Sequence, residues 1–331
     1  MASSIELFGN TRQPPKVMVI GGSGFIGSEV VKVLAASGCR ITALQHRSRV
    51  RVNGVRSIEG DLRTFDWSRL EHDLPDVIIH SGRISGRTWP GRILAGMQGR
   101  RANARLMKWL SRLTNPPSLV YVSGSLVYGS QGGAGVSESA PLNPAGFQKY
   151  YIRAERPILE SAADSRVPVS IARVPWVLGP ASWFRQFYWR AVRKQHEIPC
   201  FGEGENLMSV VHLRDCAGLI ARISGLAAVK AGQPATSQGP GDRAASPEIF
   251  NITTIPAVTQ SDFCQTLSAL TGVPVRYYTE RQLRTRYGQT VTEALTFSLS
   301  LISERDTVSK WEPGFPTVGA ALRDVVRNLE D

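Results

Sequence analysis

The sequence predicts an α/β protein, a doubly wound parallel sheet followed by a smaller C-terminal lobe. Short β-branched runs alternate with amphipathic stretches through the first half, as parallel strands with crossover helices require. Three glycines separate the first run from the first amphipathic stretch, and beyond residue 175 the alternation gives way to an irregular, aromatic-rich texture. The first strand is expected at residues 16–20. A helix follows at 25–37, with Ile26, Val30, Val33 and Leu34 on one face and Gly38 closing it. Further strands are expected at 39–44, 76–80, 119–122 and 168–173, and a helix at 104–113. Trp176, Trp183, Phe184, Phe187, Tyr188 and Trp189 crowd the segment where the second lobe would begin. The expected organisation is a tail at 1–15, an α/β domain at 16–175, and a lobe at 176–331 with some segments returning to the first domain. Residues 229–247, rich in Gly, Ala, Ser, Gln and Pro, read as a surface loop.

At 331 residues with 42% hydrophobic and 20% charged side chains, the chain has the composition of a folded protein, which excludes overall disorder. The net charge of +12 is spread from Arg12 to Arg327 without a basic run interleaved with aromatics. That argues against nucleic acid as partner and suits a phosphorylated small molecule. Cys39, Cys200, Cys216 and Cys264 form no C-x-x-C pair, so neither a zinc site nor a redox dithiol is expected. Residues 1–16 are polar and end in Pro14-Pro15 and Lys16, and no apolar run reaches the roughly 20 residues of a bilayer span. A cytoplasmic protein without membrane insertion is the expectation.

The segment VMVIGGSGFIGSEVV places Gly21, Gly24 and Gly27 between a strand and a helix that opens on Phe25 and Ile26. The first glycine permits a tight turn, the second lets backbone approach a pyrophosphate, and the third lets the helix pack on the sheet. The pyrophosphate would sit on the free amides at the helix N-terminus. This predicts a Rossmann-type fold. At the end of the second strand, where an NAD site commonly has an acidic residue, the sequence has Gln45, His46, Arg47, Ser48 and Arg49. Arg47 or Arg49 suits a 2′-phosphate and Gln45 serves either cofactor, so NADP (NADPH) is favoured over NAD.

The G-x-x-G-x-x-G spacing resembles the extended (atypical) short-chain dehydrogenase/reductases of NAD(P)-dependent epimerase/dehydratase type. Other segments match in that family's order: Glu59-Gly60-Asp61-Leu62 its adenine-contacting turn, residues 75–82 with Ser81 and Gly82 the strand beneath the cofactor, and 121–129 its catalytic-serine strand. Residues 173–180 with Pro175, residues 211–217, Phe250-Asn251-Ile252 and Trp311-Glu312-Pro313 complete the likeness over nearly the whole chain.

The resemblance implies a catalytic tyrosine, a lysine four residues later and a Ser or Thr on the serine strand. Here Tyr151 is followed by Glu155, and the alternative Tyr150 by Ala154, so the lysine is absent. A carboxylate there disfavours the phenolate that a lysine would favour. Lys149 lies on another helix face. Gly124 occupies the usual Ser/Thr position between Ser123 and Ser125, either of which can substitute. Three readings follow, in this order: a reductase or epimerase using Tyr151, with Glu155 on the ribose; a non-redox isomerase or dehydratase with Glu155 as base; and a non-catalytic NADP-binding regulator.

Nucleotide-sugar enzymes of the family carry an arginine before the segment that matches 211–217; here Met208 stands near its place. With Trp176, Trp183, Phe187 and Met208 as candidate contacts, the expected substrate is a small, fairly apolar metabolite, in keeping with secondary metabolism. Relatives pair through the tyrosine helix and the one before it, which implies a homodimer, with Pro157 set to alter that surface.

Overall fold

The computed structural model describes residues 14–144, 146–164, 166–232 and 246–330. Most of the expected tail and most of the expected 229–247 loop lie outside the described residues, and residues 229–232, expected in that loop, instead end the helix Leu213–Gly232. Those described form two compact units: residues within 1–123, 150–172 and 217–250, and residues within 124–149, 173–216 and 251–331. Residues 124–149 therefore group with the second unit, and 217–250 with the first.

The first unit carries a seven-stranded sheet. Its early strands are β1 (Lys16–Ile20), β2 (Arg40–Gln45), β3 (Arg56–Glu59), β4 (Val77–His80) and β5 (Ser118–Gly124). The spatial order is Glu248–Asn251, Val169–Val174, β5, β4, β1, β2, β3, and the neighbouring pairs among β1–β5 are parallel. Reversal of the strand order beside β1 makes the doubly wound Rossmann arrangement, with its ligand crevice at the carboxyl ends of the strands. β1 and β4 are almost wholly buried because both sheet faces are covered, hence the continuous Val-Met-Val-Ile and Val-Ile-Ile runs. The expected strands appear within two residues of their bounds. β3 escaped the sequence reading because its Arg-Ser-Ile-Glu, mostly exposed on a sheet edge, shows no apolar pattern.

Three helices matter for the site: α1 (Phe25–Ala36), α2 (Trp89–Leu110) and α3 (Gln148–Asp164). The helix expected at 104–113 is a correction: it starts at Trp89 and ends at Leu110. Its signal was local, since the Thr88 hydroxyl accepts the Gly91 amide at the N-terminus and Pro90 fills the first turn. Gly91, Gly96 and Gly99 hid it by lowering helix propensity. α3 runs through Pro157 without interruption.

The second unit packs its own core around Phe184, Tyr188, Phe201, Phe263 and Leu322. Among the described residues no helix is long and apolar enough to cross a membrane.

Candidate functional site

The three glycines of the turn meet three separate steric demands. Gly21 has φ +79°, and a Cβ there would lie 2.7 Å from the Gly82 backbone. The Gly24 amide closes the turn onto the Gly21 carbonyl at 2.9 Å. Gly24 then caps α1 without any side-chain acceptor, which leaves first-turn amides for a ligand. A Cβ on Gly27 would stand 2.2 Å from the Gly21 oxygen and 2.6 Å from Ser81 Oγ. The Ser81 hydroxyl donates to the Ile20 carbonyl at 3.0 Å and fastens the end of β4 to the end of β1.

Beside this turn, wholly within the first unit, lies a cavity of about 590 Å³. Its walls include Gly21 and Gly24, Gln45 to Ser48, Gly60 to Arg63, and Ser81 to Gly86. The volume is in the range of cofactor sites, about 300–1,000 Å³. Phe25 and Ile26 are half-buried in the first turn of α1 and do not line it. With its bare backbone turn and uncapped helix, the cradle fits a dinucleotide's pyrophosphate.

At the end of β2, Gln45 is buried and its Oε1 accepts the Val50 amide at 2.8 Å, shaping the loop between them. Arg47 lines the cavity; Arg49 is exposed and does not. Asp61 is the one carboxylate among the lining residues, and Arg63 grips it through Nε at 2.9 and 3.0 Å. These bonds hold the Asp61 carboxyl down at about 2. His46 Nε2 stands 3.6 Å from the same carboxylate. With Asp61 so paired, Arg47 and Arg83 leave the walls net positive. Leu62 lines the wall beside Asp61. Arg63 and Arg83 went unnoticed in the sequence because a scattered arginine carries no periodic signal.

The tyrosine helix α3 lies against α2 where α2 has no side chains. A Cβ on Gly96 would fall 2.2 Å from the Tyr150 carbonyl, and one on Gly99 2.9 Å from the Ala154 Cβ. Asn103 bridges layers, donating to the Ala154 carbonyl at 2.7 Å while its Oδ1 meets His80 Nε2 at 2.9 Å. Because Asn103 Oδ1 accepts, Nε2 of His80 carries the proton. Burial pushes His80 down to about 4 and keeps it neutral at pH 7.

Tyr151 and Glu155 have distinct surroundings. The Tyr151 hydroxyl accepts the Gly86 amide at 3.2 Å, and the Arg83 guanidinium lies 5.0 Å from its ring centroid. Glu155 is 1% exposed, and its Oε2 accepts the hydroxyl proton of Ser123. Burial and the Glu155 charge together push the Tyr121 phenol up. Ser125 is buried in the second unit. At Gly124 a Cβ would lie 2.1 Å from Gln148 Nε2, so a serine or threonine does not fit beside Gln148 as it stands.

The aromatic candidates belong to the second unit. Trp176 and Trp183 are neighbours, with ring centroids 5.0 Å apart, whereas Phe187 packs edge-on against Tyr287 at 5.5 Å. All three are half-buried against that unit's core, Met208 is inside the core at 4% exposure, and Pro175 is buried. Trp183 also packs against Phe184, Tyr188 and Phe263, so all four candidates take part in that unit's packing.

Known proteins share this architecture. MoeE5, solved in complex with UDP-glucose and NAD, matches with a TM-score of 0.72 and 22% identity over 96% of this chain and 100% of that one. The human epimerase family protein SDR39U1 (isoform 2), solved with NADPH, gives 0.72 and 21% over 95% and 100%. A dTDP-glucose 4,6-dehydratase (rfbB) from Bacillus anthracis str. Ames, in complex with NAD, gives 0.71 and 19% over 96% of each. An uncharacterized protein, y4nL of Sinorhizobium fredii (strain NBRC 101917 / NGR234), is 26% identical over 220 residues, 60% of this chain. The match covers 61% of that relative's length. The sequence profile of the NAD dependent epimerase/dehydratase family matches residues 17–235. The chain belongs to the NAD dependent epimerase/dehydratase family, on the extended short-chain dehydrogenase/reductase scaffold.

Proposed function

We propose that the chain is an NADP(H)-dependent oxidoreductase, a reductase or epimerase that acts on a small, fairly apolar metabolite. The carrying observation is the cavity wall: a glycine turn with uncapped helix amides beside Arg47, and a single carboxylate, Asp61, already paired with Arg63. When bound, the nicotinamide supplies a hydride acceptor or donor. The chain's own residues hold and orient it. Turn amides receive the pyrophosphate, Arg47 receives the 2′-phosphate, and the Ser81–Gly86 loop floors the cavity. Tyr151, whose hydroxyl accepts the Gly86 amide of that loop, is the acid/base group in this reading. The aromatic pair Trp176 and Trp183 is the substrate-facing surface of the second unit, which serves as the substrate domain. In this reading the enzyme works in the cytoplasm, as a homodimer, in a secondary pathway.

Calorimetric titration of the purified chain with NADPH, NADH and NADP⁺, repeated on Arg47→Ala, tests the reading. NADPH is expected to bind more tightly than NADH. A charge-assisted bond is worth about 1.5–3 kcal/mol, so Arg47→Ala should weaken NADPH about tenfold or more and leave NADH within about a factor of two. Equal affinity for both cofactors would remove the NADP assignment, and no binding of any of them would remove the whole reading.

A further inference from the structure

Ser123 has one proton to give, and Glu155 takes it. A serine hydroxyl is one donor with two acceptor sites, and a carboxylate only accepts. Glu155, four residues after Tyr151 on α3, is 1% exposed and receives the Ser123 proton on Oε2. The half-buried Ser123 at the end of β5 therefore has only lone pairs left for a ligand. An acceptor gains nothing from a carbonyl oxygen, which also only accepts. It does bind a hydroxyl or an N–H. Steric restraint at Gly124, where a Cβ would meet Gln148 Nε2 at 2.1 Å, leaves that position without a hydroxyl of its own to reverse this polarity.

We propose that Ser123 and Glu155 form a proton-accepting relay that selects a hydroxyl- or amine-bearing substrate over its carbonyl counterpart. The inference rests on the reading above for the bound nicotinamide, and itself places the substrate's reacting group at Ser123. In the relay the substrate O–H breaks as a new Ser123 Oγ–H forms. The original Ser123 O–H breaks in turn, and its proton ends on Glu155 Oε2, which becomes a carboxylic acid. With an oxidised nicotinamide bound, the carbon would give up hydride to it, and the electron pair left on the substrate oxygen would form the second bond of the carbonyl. Ser123 touches the substrate, and Glu155 acts through it as a positioning and proton-storing residue. Asn103 holds this part of α3 in place through the Ala154 carbonyl, one residue before Glu155.

Isotope-edited infrared spectroscopy of the full chain with ¹³C-labelled glutamate, as the difference between wild type and Glu155→Gln, reads the charge of Glu155 directly. An ionised carboxylate band that shifts in Ser123→Ala is expected. A carboxylic acid band, or a carboxylate band indifferent to Ser123→Ala, overturns the relay. If Glu155→Gln does not fold, the ¹³C difference between wild type and Ser123→Ala carries the same information. Saturation-transfer NMR with 1-phenylethanol and acetophenone, in the presence of NADP⁺, reads the ligand preference. The alcohol should be favoured about tenfold, and Glu155→Gln, whose amide can donate to Ser123 and free its proton, should reverse the order. Equal retention, ketone preference or retention of neither in wild type overturns the selectivity. NADPH calorimetry on the same samples keeps this outcome separate from failure of the cofactor reading.

Discussion

The narrowest tolerances of the site belong to single residues. Gly27 has room for a hydrogen and nothing larger, and the Gly21 oxygen that would be struck is itself fixed by the Gly24 amide. Gly27→Ala is therefore expected to lower unfolding stability by about 1–3 kcal/mol, the usual cost of overpacking, and to abolish NADPH binding. Denaturant melts and calorimetry on the same preparation check both parts; a variant that binds NADPH as tightly as wild type would show that the turn is not the phosphate cradle. This motif was legible in the sequence because each glycine answers a demand of its own backbone within seven residues. Arg63 was not legible: its value comes from neutralising Asp61 on the cavity wall, which its spacing does not announce. Arg49 illustrates the converse, since its place beside Arg47 in the chain does not bring it to the wall.

At the scale of elements, the packing of α2 on α3 decides where Tyr151 and Glu155 stand. Gly96 and Gly99 lower the helix propensity of α2, which misplaced its start in the sequence reading, yet they remove the side chains that would hold α3 away. Gly96→Val should cost more than about 2 kcal/mol of stability and push α3 outward, despite valine being the better helix former. The measurement is the unfolding free energy together with NADPH affinity, and a stabilised variant would refute the close-packing account. Thr88→Ala, which removes only the N-cap of α2, should cost about 1 kcal/mol and leave cofactor affinity unchanged. Strands β1 and β4 were legible because burial on both faces writes itself as an unbroken apolar run. The edge strand β3 was not, because exposure on that edge removes the need for one.

For the whole molecule, buried imidazoles make stability depend on pH in mild acid. Burial holds His80 at about 4, below the ordinary value of about 6.5, and burial also lowers His212 despite its contact with Asp324. As pH falls, the unfolded chain takes up these protons first. The stability that comes from neutral histidines is complete above about pH 6.5 and is lost as pH falls toward about 4. Denaturant melts at pH 7 and pH 4.5 should show the loss, up to about 3 kcal/mol from His80. His80→Gln, which retains a donor for Asn103, should flatten the slope; an unchanged slope would assign the acid loss to other groups.

The sequence by itself determined the fold class, the glycine turn and the absence of a lysine four residues after Tyr151, because periodicity, steric freedom and residue identity are properties of neighbours in the chain. Tertiary structure alone decided what Glu155, standing in that lysine's place, meets. Ser123 and Glu155 are 32 residues apart and meet only because β5 lies beneath α3, and α3 reaches its position only because α2 is bare at Gly96 and Gly99. A hydrogen bond between distant residues depends on how closely two elements approach, and that distance is set by side chains on both of them, which no single segment of the sequence contains.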